Sequence, residues 1–181
     1  MPHFAALVAR HHNRWNGSDL DMSEVDNIED VAELVRDSIP DDADPSLVFV
    51  EENDEWFAIV RVDLLGDARV FMSDIRAVAT SELAALLFQD QIPEGDPDDD
   101  LGIEDAVLDD DADAESVDEE EEEPVLRPDA EVGGSTDILA DLGLGSAQLL
   151  ELCAEEGMLP ADVISAICET LGCADTIEVY R

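Results

Sequence analysis

Three cysteines, three histidines and 49 carboxylates are the side chains of this 181-residue chain that could do chemistry. Structural zinc takes compact tetrahedral sets of cysteine and histidine. Cys168 and Cys173 have four residues between them, Cys153 lies on an earlier apolar segment, and neither a C-x-x-C pair nor a nearby histidine completes a set. All three therefore read as core thiols, which suits a reducing cytosol. His3 alternates into an apolar strand and His11-His12 reads as a polar turn. Nothing orients any of them toward a cysteine as a nucleophile–base pair. Acids are so common that a general acid–base pair could be drawn anywhere, and none is singled out by an apolar surround. Asp96, Asp98 and Asp100 alternate like an EF-hand loop, but Leu101 and Val107 stand where glycine and glutamate are required. The run Glu119–Glu123 attracts cations without forming a dedicated site. Gly133-Gly134 precedes a helical segment, yet Asp137 and its acidic surround argue against a phosphate there. No catalytic, cofactor-binding or metal-ligating residue is expected. The candidate contact residues are aromatic: Trp15 and Trp56 divide between sheet core and an exposed partner contact, whereas Phe57 and Phe71 are assigned to the core.

The elements that must position these residues fall in two folded parts. Residues 1–89 read as an α+β domain. A strand over His3–Arg10 and a turn over His11–Arg14 lead to a short strand over Trp15–Asp21, with Asn16-Gly17 as a competing turn signal. Ser23 opens a helical region in which Ile28, Val31, Ala32, Leu34 and Val35 recur at helical spacing, and Pro40 with the run Asp41–Pro45 stops it. Strands over Ser46–Glu51, Glu55–Asp63 and Ala68–Met72 form a meander. In the second of these, Trp56, Ala58, Val60 and Val62 share one face, and Phe57, Ile59 and Arg61 the other. Ser73 or Asp74 then caps a helix running from Ile75 to Leu87. The expected architecture is a small antiparallel sheet with helices on one face.

Residues 132–181 read as a small all-helical module. Its helices run over Asp137–Leu142, from Ser146 to Gly157, and from Pro160 to Gly172. Between the two parts, residues 90–131 carry 21 acids against one arginine. Such a stretch cannot bury enough apolar surface to offset its ordering entropy and is expected to be a disordered linker.

The acid excess extends to both folded parts. Residues 1–89 hold 19 acids and 6 arginines, residues 132–181 hold 9 acids and one arginine, and the whole chain has a net charge of −41. All eight basic residues are arginine. A chain this negative is repelled by phosphate backbones and anionic lipid, so direct nucleic-acid or membrane-surface binding is not expected. Either a basic protein surface is the expected kind of partner, or the charge serves solubility alone. The apolar run Phe4–Ala9 lacks the features of a secretory signal, and no stretch is long and apolar enough for a transmembrane helix. A cytoplasmic location is expected.

Several segments together carry a family resemblance. They are P-H-F-A-A-L-V-A-R (Pro2–Arg10), D-E-W-F-A-I-V-R-V-D (Asp54–Asp63), R-V-F-M-S-D (Arg69–Asp74), T-D-I-L-A-D-L-G (Thr136–Gly143) and L-C-A-E-E-G-M-L-P (Leu152–Pro160). Through them the chain resembles the actinobacterial tRNA adenosine deaminase-associated protein family, over both folded parts but not over the acidic linker. The resemblance implies a non-catalytic accessory or binding partner of a tRNA adenosine deaminase, acting through protein–protein contacts, and brings no catalytic residue with it. The zinc deaminase signature H-x-E with P-C-x-x-C is absent from the chain. The alternative is a general acidic interaction or adaptor protein with an unrelated partner.

Overall fold

The computed structural model describes residues 3–23, 25–40, 42–64, 68–88, 130–155 and 157–180. The expected linker, 90–131, lies outside the described residues apart from Ala130 and Glu131.

Strands β1 (His3–His11), β2 (Arg14–Asp19), β3 (Ser46–Glu52), β4 (Trp56–Val62) and β5 (Arg69–Met72) form an antiparallel sheet in the order β2-β1-β3-β4-β5. β1 and β2 are joined by a tight hairpin whose central residues, His12 and Asn13, have φ of 49° and 62°. That mirror-image turn matches the twist of the flanking strands. Asn16-Gly17 consequently lies inside β2, paired with Ala9 and Val8, rather than forming a turn. β3 and β4 are apolar on both faces, and nearly every residue in them is buried. Such strands belong in the middle of a sheet covered on both sides.

One face packs against α1 (Ile28–Ser38), a 3-10 helix (Ile75–Ala79) and α2 (Glu82–Phe88). Leu7, Val48, Val50, Val60 and Val70 meet Val31, Val35 and Leu87 there. The helices of the first 89 residues thus share one face, as expected. α1 begins at Ile28, not near Ser23, because the Asn27 side chain accepts from Asp30 N at 2.9 Å and caps it. The helix expected over Ile75–Leu87 is two helices. Asp74 caps the first, and Ser81 starts the second by accepting from Ala84 N at 3.1 Å while donating to the buried Glu52 at 2.5 Å.

Residues 132–181 cover the other face. Gly133 and Gly134 pair with Met72 and Phe71 as a sixth strand, β6. A 3-10 turn (Ala140–Leu142), α3 (Ser146–Cys153), α4 (Pro160–Leu171), α5 (Ala174–Ile177) and a final 3-10 turn (Glu178–Tyr180) follow. Ile138, Leu149, Val163, Ile164 and Ile167 pack on Phe49, Phe57, Ile59 and Phe71. α4 starts with Pro160 and ends at Gly172, whose φ of 76° closes the helix in the left-handed region.

Candidate interaction surface

The two folded parts meet through polar contacts as well as apolar ones. Arg61 lies on the face of β4 that bears Phe57 and Ile59, and only 7% of it is exposed. A guanidinium buried that deeply must be paired. Its Nη2 donates to Asp141 Oδ2 at 2.9 Å, Nη1 donates to Asp141 Oδ1 and to Ile138 O (2.8 Å), and Nε donates to Asp63 Oδ1 at 2.7 Å. Arg69 adds a contact to Asp63 at 3.3 Å. The Asp141 hydrogen bonds raise the Arg61 pKa above its already high ordinary value, against the opposing effect of burial. The same hydrogen bonds hold the Asp141 carboxyl below the ordinary carboxylate range. This clamp joins β4 to the turn before α3 across 80 positions of sequence. Its trace in the sequence is a lone arginine on an otherwise apolar strand face. The identity of its partner acid, among so many, has no such trace.

At the opposite edge, Trp15 and Tyr180 fasten the C-terminal helices to β2. Trp15 is half-buried and its Nε1 donates to Leu171 O at 3.0 Å. The Tyr180 hydroxyl donates to Gly17 O at 2.6 Å, and the position of Gly17 leaves no space for a side chain beneath Tyr180 and Thr176. Trp56, the second candidate contact, is 3% exposed and packs in the core on the α1 face. Phe57 and Phe71 are fully buried with ring centroids 6.1 Å apart.

The three cysteines are buried thiols, as expected. Burial pushes the Cys153 thiol up to about 12. A hydrogen bond from Cys168 lowers Cys173, against the opposing effect of burial. None is an exposed nucleophile.

Several exposed acids lie on the helices. Glu29, Glu33 and Asp37 are exposed on α1, Glu151 on α3, and Asp162 and Glu169 on α4. Leu150 (37%) and Val179 (75%) are exposed apolar residues of the C-terminal layer. Among the described residues no helix is long and apolar enough to cross a membrane.

Fold and composition together define an acidic α+β protein, a six-stranded antiparallel sheet with a helical layer on each face. The profile of the Rv3753c-like tRNA adenosine deaminase-associated protein family matches residues 3–106 and 102–174. The chain belongs to that family. Comparisons with curated proteins and with solved structures each returned no match.

Proposed function

We propose that this protein is a non-catalytic accessory partner of a tRNA adenosine deaminase, acting in the cytoplasm through protein–protein contacts. The observation that carries this reading is the family match, which spans both folded parts of the chain and names an associated protein rather than a deaminase. Charge supports it. An enzyme that handles tRNA needs a basic face for phosphates, and a chain with net charge −41 complements such a face. The accessory protein either docks beside that face or competes with tRNA for it.

The test is co-purification with the host's tRNA adenosine deaminase at low and at high salt. A complex that persists near ~0.3 M salt, where exposed charges are screened beyond a few ångströms, requires a packed interface and is the expected result. Loss of the complex as readily as with any polyanion would overturn the reading. It would leave an acidic adaptor whose partner is a different protein.

A further inference from the structure

We propose that His11, His12 and Asp42 form a binding site for a divalent transition metal of the zinc class, with coordination left open to solvent or to a partner's side chain. His11 Nε2 lies 2.9 Å from Asp42 Oδ1, and His12 Nε2 lies 4.0 Å from Asp42 Oδ2. One ligand atom from each of the three residues falls within 4.8 Å of the others. Zinc bonds of 2.0–2.2 Å to nitrogen and oxygen place neighbouring ligand atoms roughly 3.4 Å apart. The His11–Asp42 separation must therefore open by about 0.5 Å, and His12 must move inward. The His12 side chain, 78% exposed and stacked only on the His11 ring at 3.9 Å, has room to do so.

Both halves of the site are held by backbone. His12 sits at the tip of the β1–β2 hairpin at φ 49°, a left-handed conformation that most side chains avoid. Asp42 belongs to the segment between α1 and β3. That segment is tied to the end of β1 by Arg10 N to Pro45 O (3.0 Å) and Asp44 N to Arg10 O (2.9 Å), and closed on itself by Ala43 N to Pro40 O (2.9 Å). The hairpin tip and this segment thus face each other in a set geometry, as ligand pre-organisation requires. Two imidazoles and one carboxylate suit zinc-class ions, whereas the all-oxygen acidic surface elsewhere suits magnesium and calcium. Three protein ligands leave a coordination position for water or a partner. His12 and Asp42 are 78% and 67% exposed, so that position opens to solvent.

The experiment is titration of the tag-free, full-length protein with Co²⁺ in an excess of Mg²⁺, followed by calorimetry and visible absorption. Mg²⁺ occupies the general acidic surface and leaves an imidazole site available. The expected result is a single tightly held equivalent of Co²⁺ with intensified d–d bands, displaced by Zn²⁺. His12→Asn keeps a residue tolerant of the left-handed turn. It should weaken binding by at least about tenfold, because losing even an outer-shell partner of a ligand costs that much. Asp42→Asn should weaken it similarly, with unchanged circular dichroism in both variants. Binding that Mg²⁺ abolishes, or that both variants retain, would overturn the site and leave only attraction to the acidic surface.

Discussion

At the scale of single residues, Arg61 bears the heaviest demand. Replacing it with methionine fills the volume but orphans the Ile138 carbonyl, leaves Asp141 without its paired cation and leaves Asp63 only the longer contact from Arg69. Breaking a fully buried pair costs roughly 3–5 kcal/mol. Asp141 is 59% exposed, so water takes up part of the loss. The expected cost is about 2 kcal/mol, read as a lower urea midpoint with an unchanged slope. Asp141→Asn should cost less than Arg61→Met at neutral pH, because Asp63, the Ile138 carbonyl and the remaining amide oxygen still serve the buried guanidinium. The pH dependence has a definite sign. The folded-state pKa of Asp141 is depressed, so its contribution is present above the ordinary value of 3.8 and is lost as pH falls below it. Acid unfolding of the wild type should therefore be steeper than that of Asp141→Asn. An equal slope would mean the pair adds nothing. The arginine on an apolar strand face is legible in the sequence. Asp141 is not, because 49 acids compete for it.

At the scale of elements, period and punctuation carried most of the reading. β3 and β4 announce themselves by continuous β-branched and aromatic residues, and α4 by Pro160 and Gly172 at its ends. β6 has no such signal, since two glycines have neither period nor apolar face. Its existence depends on Phe71 and Met72 offering an open edge. Gly134 holds φ 81°, and a Cβ there would lie 2.1 Å from Val70 O. Gly134→Ala should cost at least about 2 kcal/mol, from left-handed strain and the clash together. It should also expose the Ser135 amide, which now donates to Val70 O at 2.8 Å, to rapid hydrogen exchange. Continued protection of that amide would show that the edge does not need the pairing. The split of the 75–88 segment follows from Ser81, whose hydroxyl serves both Ala84 N and Glu52. A helical pattern alone cannot show that a side chain will turn back to cap a new helix.

At the scale of the whole molecule, the sheet is the shared core of both folded parts. Without residues 132–181, the face bearing Leu47, Phe49, Phe57, Ile59 and Phe71 would lie bare. An apolar patch of that size is an aggregation surface. Residues 1–89 expressed alone should therefore self-associate or lose their cooperative unfolding transition, followed by size-exclusion chromatography and circular dichroism. A stable monomer with the full protein's midpoint would show the first part to be independent. The sequence by itself determined most of the elements, their apolar faces, the acid excess and the family resemblance, because these depend on local period, local punctuation and composition. Only the tertiary structure decided that the helical module closes the second face of the sheet, that Arg61 meets Asp141, and that Asp42 comes to the two histidines of the hairpin. Each of these joins residues tens of positions apart. Such pairings follow from which apolar surfaces must be covered, and no window along the chain contains that information.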